Sequence, residues 1–239
     1  MVCKKNMKIL AVIPARGGSK GVIKKNIKLL DGKPLIEYTI SEALKSKYIT
    51  DLVVSTDDLE IKSVAEKCGG SCPFIRPSDL ATDASYSAPV VAHALEHMEK
   101  QNRIIYDSIL MLQPTSPFRT SSHIDRSIEK YNSHKCDSVV SVVNVEGNHP
   151  FRMKRKVGDK LVNYIDQGFW DMRPRQELPN VYIRNGAIYL IDRDTFIEEK
   201  QLIGRNCLGF EMSTGESVNI DNEIDFAVAE VLMKRNRDE

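Results

Sequence analysis

Ala15-Arg16-Gly17-Gly18-Ser19-Lys20-Gly21 has the residue types needed to hold a polyphosphate. Three glycines in five positions let the backbone turn sharply and aim its N–H groups at an anion. Arg16, Lys20, Lys24 and Lys25 add four positive charges within ten residues. An apolar run, Ile9–Ile13, leads into this loop and reads as a buried strand that stops at Pro14. The spacing matches neither of the two commonest phosphate loops. No G-x-G-x-x-G fits Gly17, Gly18 and Gly21, and no G-x-x-x-x-G-K-[ST] is present. On the residues alone the loop is either a polyphosphate cradle or a solvated basic turn between core elements.

IPARGGSKG, followed by Lys25-Asn26, resembles the corresponding loop of the CMP-sialic acid synthetases. These are the acylneuraminate cytidylyltransferases, which activate nine-carbon keto-sugar acids with CTP and include synthetases for legionaminic and pseudaminic acids. The resemblance implies that Ala15, Arg16, Gly17, Ser19, Lys20, Lys25 and Asn26 wrap the nucleotide, with Arg16, Lys20 and Lys25 neutralising the triphosphate during reaction.

The elements that would position this loop follow in order. Asp31-Gly32-Lys33-Pro34 reads as a turn, and Leu35, Ile36, Ile40, Ala43 and Leu44 fall at helical spacing. Asp51–Thr56 is the next strand, and the following helix spans Leu59–Cys68. Asp57 and Asp58 either cap that helix or, for Asp57, face a crevice at the strand's carboxyl end. A third short strand is expected near Phe74-Ile75, followed by the loop Arg76–Asp83 and a helix over Ser87–Lys100. Arg76 would by residue type be a surface arginine. The synthetases carry an R-P-x-x-L-A-x-D loop here that contributes to the cytidine and phosphate site, which implies that role for Arg76 and Ser85. Asp83 reads as a cap for the next helix.

Tyr106–Leu112 is a near-continuous apolar run and reads as a central parallel strand buried on both faces. It ends in Gln113-Pro114-Thr115-Ser116-Pro117-Phe118-Arg119, where an amide and two hydroxyls can meet a polar ligand, or where Ser121 or Ser122 simply caps a helix. LQPTSP with its following arginine is also a motif of the synthetases and implies Gln113 in the site. Helix His123–Lys135 and strand Asp137–Val145 complete a βα alternation over residues 8–145. Such alternation predicts a parallel sheet with right-handed crossovers and a crevice at the strands' carboxyl ends.

Residues 146–182 break the rhythm, with short strands Phe151–Lys156 and Leu161–Tyr164 around Gly158-Asp159. A hairpin of this size is too small to own a core. It is either a flap on its own domain or, as the resemblance implies, an inserted dimerisation arm. Arg173 and Arg175 could bind a carboxylate. RQ-x-LP and NGAIY also resemble the synthetases and imply sugar-acid contacts from Arg175, Gln176 and Asn185. The family's second arginine stands in some members where this chain has Ile183, so Arg184 is a weaker match. A strand is expected over Ala187–Ile191, a helix over Arg193–Lys200, a strand around Leu208–Met212 and a final helix over Glu223–Arg235. Before that helix, Asn219-Ile220-Asp221 stands where many members carry D-I-D for a divalent metal. Asp221 is therefore either a helix cap or a ligand of Mg²⁺ (or Mn²⁺), and Asn219 departs from the pattern.

With 34 basic and 33 acidic residues the net charge is +1, which argues against general nucleic-acid or membrane-surface binding. Five scattered cysteines and no segment of roughly 20 apolar residues read as a cytoplasmic protein with reduced thiols and no membrane span. The charged Met1–Lys8 lacks the apolar run of a signal peptide.

The expected architecture is one domain over 1–239, a three-layer α/β/α fold with a mostly parallel Rossmann-like sheet of the nucleotide-diphospho-sugar transferase type. The protruding arm occupies 146–182. The resemblance implies transfer of CMP from CTP to a nine-carbon sugar acid by a homodimer using Mg²⁺. Two alternatives stand beside it. One is a synthetase for the eight-carbon acid of lipopolysaccharide, disfavoured by Lys20-Gly21 and Lys25-Asn26 ahead of Gly32-Lys33-Pro34. The other is an inactive nucleotide-sugar-binding module, which Asn219 allows.

Overall fold

The computed structural model describes residues 7–18, 21–82 and 85–238, with side chains as far as Arg235. The apolar run after Met7 forms β1 (Ile9–Pro14), and its alternation feeds both faces of a sheet. Ile9, Ala11 and Ile13 enter one core cluster, and Leu10 and Val12 enter the other. Burial on both faces is why the run is apolar without a polar alternate. A small antiparallel pair, β2 (Leu29–Leu30) and β3 (Lys33–Pro34), then turns the chain into α1 (Leu35–Leu44). Next come β4 (Asp51–Ser55) and α2 (Leu59–Lys67), where the Asp58 carboxylate accepts the N–H groups of Glu60 and Ile61. Asp58 is therefore the cap, and Asp57 is left for another task.

No strand forms at Phe74-Ile75. The chain pairs with β4 only through a single bridge, Val53 to Ser71, and then leaves the sheet. α3 (Ser87–Asn102), β5 (Ser108–Met111), α4 (Ser121–Ser133) and β6 (Ser138–Asn144) follow near their expected places. The cap of α4 is Thr120 rather than Ser121 or Ser122. Thr120 Oγ1 accepts the His123 N–H while His123 Nδ1 accepts the Thr120 N–H, a reciprocal pair of capping-box type. Asp83 lies outside the described residues.

Beyond β6 a two-stranded hairpin, β7 (Lys154–Val157) and β8 (Lys160–Asn163), stands outside the main sheet. A single helical turn, Pro150–Arg152, takes the place of the expected start of its first strand. The chain returns as β9 (Tyr182–Asp192), continues through α5 (Arg193–Glu199) and β10 (Cys207–Glu211), and ends in α6 (Glu223–Asp238).

The six-stranded sheet runs β10-β6-β9-β5-β1-β4. Its one exception to parallel order is β9, inserted antiparallel between β5 and β6. β5 is therefore buried between one parallel and one antiparallel neighbour. α1, α2 and α4 cover one face, and α3 and α5 cover the other, giving three layers. A third cluster joins Val22, just after the glycine loop, to Leu35 of α1, Ile220 and Phe226 of α6. It seats the segment carrying Asp221 beside the first loop. The described cysteines are all free thiols, and burial pushes that of Cys72 up to about 11.

Candidate active site

β1, β4 and β5 run parallel, so the loops after them collect at one edge. There they line a cleft of about 450 Å³. Arg16, Lys25 and Asn26 come from the first loop, and Arg76 and Ser85 from the loop after α2. Gln113 comes from the end of β5 and Asp221 from the approach to α6. Seven residues singled out by sequence thus meet in one cavity.

Each is held by a traceable contact. Ala15 is buried, and its N–H donates to Ser55 O, prolonging the β1–β4 pairing into the loop. The Gly17 N–H donates to Asp57 Oδ1 at 3.0 Å, so Asp57 steadies the glycine turn, although it does not itself line the cleft. Buried Asn26 donates from Nδ2 to Arg16 O at 3.0 Å and closes the loop on itself. Ser19 and Lys20 lie outside the described residues. The Lys25 ammonium donates to Ile220 O at 2.7 Å and stands 3.5 Å from Asp221 Oδ1, linking the first loop to the last. Gly21 makes that approach possible, because a Cβ there would come within 2.1 Å of Asp221 O.

Arg76 forms the cleft's buried cationic floor, only 4% exposed. Its Nε donates to Ser55 Oγ at 3.1 Å and its Nη2 donates to Ser55 O. Desolvation pulls the guanidinium down to about 10, with Asp57 opposing and Arg16 reinforcing that shift. Arg76 stays charged at neutral pH, so a second positive group close by favours an anion between them. The Ser85 hydroxyl donates to Asp79 O at 3.2 Å and lies 2.8 Å from Thr82 Oγ1, fastening the far wall.

Apart from Gln113, the sugar-side candidates lie elsewhere. Arg175 is exposed and pairs with Glu146 at 2.7 Å, and Gln176 is exposed beside it. Neither lines the cleft. Asn185 is 6% exposed and is hydrogen-bonded within the fold. Its Oδ1 accepts from Ser141 Oγ at 2.5 Å and its Nδ2 donates to Ser217 Oγ at 2.9 Å. It ties β9 to β6 and to the turn before Asp221. Arg173 is engaged with Asp171 at 2.6 Å.

Asp221 is not the cap of α6. Asn222 Oδ1 accepts the N–H groups of Ile224 and Asp225, which leaves the Asp221 carboxylate at the cleft and 70% exposed. Its Oδ2 accepts from Asn219 Nδ2 at 2.7 Å, while Asn219 Oδ1 is buried without a partner. Among the described residues no group of three or more His, Cys, Asp or Glu could cage a metal. One carboxylate and one nearby amide oxygen do fit a magnesium ion that takes its other ligands from phosphates and water.

Two residues to which the sequence assigns no role matter here. Gly186 has φ +81, and a Cβ on it would sit 2.6 Å from Gln113 Oε1, so the Gln113 carboxamide lies against bare backbone of β9. Arg119 is 1% exposed beneath Gln113. A glycine inside NGAIY was a possible signal for the first. An arginine letter gives no sign of burial.

A family model described as Cytidylyltransferase matches residues 10–199. The chain belongs to the cytidylyltransferase family. This cytidylyltransferase is 38% identical to the CMP-N,N'-diacetyllegionaminic acid synthase of Legionella pneumophila, over 97% of this chain and 99% of that protein. It is 32% identical to the pseudaminic acid cytidylyltransferase of Campylobacter jejuni, over 97% and 99%. It is also 36% identical to the N-acylneuraminate cytidylyltransferase of Escherichia coli, over 96% of this chain but 53% of that protein. The chain thus spans about half the length of that relative. Among solved structures, CMP:2-keto-3-deoxy-manno-octonic acid synthetase complexed with CTP superposes with a TM-score of 0.70, covering 96% of this chain and 99% of that one. At 19% identity that likeness speaks for the fold of this cytidylyltransferase alone.

Proposed function

We propose that this cytidylyltransferase transfers CMP from CTP to the anomeric oxygen of a nine-carbon α-keto sugar acid, releasing pyrophosphate. The observation that carries the reading is the cleft itself, in which Arg16, Lys25 and Arg76 converge with Gln113 and Asp221. Relatives named for legionaminic, pseudaminic and acylneuraminic acids support the substrate class. The octonic acid for which the superposed synthetase is named is the less favoured substrate, because the loop letters around Lys20-Gly21 and Lys25-Asn26 differ from that group.

The reaction asks the protein for positioning and charge neutralisation rather than for a covalent intermediate. Arg16, Lys20 and Lys25 carry the neutralisation, and Arg76 adds a buried positive charge to the same cleft. Asp57 holds the start of the first loop through the Gly17 N–H. Gln113, against Gly186, receives a polar group of the sugar. Arg175 and Gln176 complete that side if the arm's base closes toward the cleft, and Asn185 acts by holding β9 in place. Asp221, oriented by the Asn219 amide, would hold Mg²⁺ or Mn²⁺, which supplies charge stabilisation at the phosphates. CTP as co-substrate accords with a cytoplasmic site of action. Among the described residues no helix is long and apolar enough to cross a membrane.

The test is pyrophosphate release with CTP, Mg²⁺ and, separately, sialic, legionaminic, pseudaminic and deaminated sialic acids. ATP, GTP and UTP serve as nucleotide controls. CTP-dependent release with one sugar acid is expected, abolished by a chelator and restored by Mg²⁺ or Mn²⁺. A folded protein that binds CTP but releases pyrophosphate with none of the four acids would refute the assignment and revive the inactive-module alternative.

The reading extends to a homodimer. On and after the hairpin, Leu161, Tyr164, Phe169, Trp170 and Met172 are between 54% and 85% exposed. Apolar surface of that kind on a projecting element marks an interaction site. Light scattering coupled to size exclusion should give twice the chain mass, and Leu161→Asp with Met172→Asp should give a monomer. A monomeric parent would rule the dimer out.

A further inference from the structure

Arg119 has no described carboxylate in contact, although it is fully buried. Its Nη1 donates to Gln113 O at 3.1 Å and to Ala187 O at 2.8 Å, and its Nη2 donates to Thr39 Oγ1 at 2.5 Å. Its Nε finds no partner, and burial lowers the guanidinium to about 9. Glu42 opposes that shift through its charge, and its carboxylate is itself bonded to the Ser121 N–H at 2.7 Å. An unpaired buried charge is costly, and an apolar side chain of the same volume would pack at lower cost. Something that only a planar fork of donors can do must be retained here.

The strand register shows what that is. β5 and β9 pair as Ile109↔Ile191, Leu110↔Leu190 and Met111↔Tyr189, and there the ladder ends. Two further steps would set Gln113 opposite Ala187. Instead the guanidinium bridges those two carbonyls, so the strand ends are splayed by a fixed amount. The Gln113 side chain lies against Gly186, with its Oε1 only 2.6 Å from where a Gly186 Cβ would stand. Thr39 on α1 anchors the guanidinium from below and also donates to Gln113 O at 3.4 Å.

We infer that Arg119 is a positioning residue that sets the aim of the Gln113 carboxamide and thereby the reception of the sugar acid. This rests on the reading of Gln113 given under the proposed function. Steady-state kinetics of Arg119→Lys, Thr39→Val, Gln113→Ala and the Arg119→Lys/Gln113→Ala double variant test it. Arg119→Lys should lower kcat/KM for the sugar acid about 100-fold, the scale of a one-ångström misplacement. Its KM for CTP should stay within about twofold, since the nucleotide contacts lie on other loops. Thr39→Val, which keeps the volume and removes the hydroxyl, should shift the same constant in the same direction. It carries the test should Arg119→Lys fail to fold. The double variant should be no worse than Gln113→Ala alone.

An Arg119→Lys loss that multiplies in full with that of Gln113→Ala would overturn the inference while leaving Gln113 in the site. So would equal losses for CTP and sugar, or none at all. Unchanged sugar kinetics in Gln113→Ala would overturn the assignment of Gln113 itself, and the inference with it.

Discussion

Gly21→Ala is expected to lower kcat/KM for CTP by about 100-fold or more and to destabilise the fold by about 3 kcal/mol. The new Cβ would stand 2.1 Å from the Asp221 carbonyl oxygen and 3.6 Å from Asn222 Cα. Both are backbone atoms, so no side-chain rotation relieves the clash. Either the first loop lifts or the Asp221 segment retreats. Each movement separates Lys25 from Ile220 O and Asp221, a contact that joins the two sides of the cleft. Buried Val22 and Ile220 on either side resist the shift, which is why stability falls with activity. Gly18 in the same loop is the control, since a Cβ there meets nothing within 4 Å. Gly18→Ala should stay within a few-fold of the parent. Initial rates and urea unfolding check both, and a Gly21→Ala protein with parental kcat/KM would show that the loop and the Asp221 segment need not touch.

Arg76→Met should separate binding from stability. Losing this buried cation from the cleft floor is expected to cost about 100-fold in kcat/KM, or about 2.7 kcal/mol, carried mainly by KM for CTP. Its unliganded melting temperature, by contrast, should remain within about 2 °C of the parent. The guanidinium is desolvated and lies close enough to Arg16 to feel its charge, so methionine relieves a cost as it removes two hydrogen bonds to Ser55. The parent should gain several degrees on adding CTP, and Arg76→Met should lose most of that gain. Differential scanning fluorimetry with and without CTP reads both quantities. Equal CTP-induced shifts in the two proteins would remove Arg76 from the nucleotide site.

Local order of this kind was legible from the letters. The Ile9–Ile13 run reads as a buried strand, and it is one, with its odd and even residues entering different cores. The four-three spacing of Ile36, Ile40 and Ala43 set α1 against the sheet in the same way. Parallel strands put the loops after β1 and β5 at a common edge, so the meeting of Arg16, Lys25 and Gln113 was foreseeable from the alternation, whereas the arrival of Asp221 beside them was not.

Long-range pairing was not legible. Nothing in Tyr182–Asp192 states that it enters antiparallel between β5 and β6, because hydrogen bonds to the flanking backbones do not depend on side-chain letters. The apolar Phe74-Ile75 did not become a strand, because the chain left β4 after one bridge and Phe74 packed under α3. Asn185 and Arg119 show the same limit for single residues. A polar letter is chemically able to meet a ligand, but neighbours distant in sequence decide whether its donors and acceptors are already used. Ser141 and Ser217 take those of Asn185, and Gln113, Ala187 and Thr39 take most of those of Arg119. The sequence by itself determined the periodicities, the glycine loop and the edge where chemistry gathers, since these depend on neighbours along the chain. The tertiary structure alone decided which polar groups remain to face the cleft, since that depends on what the fold packs against each of them.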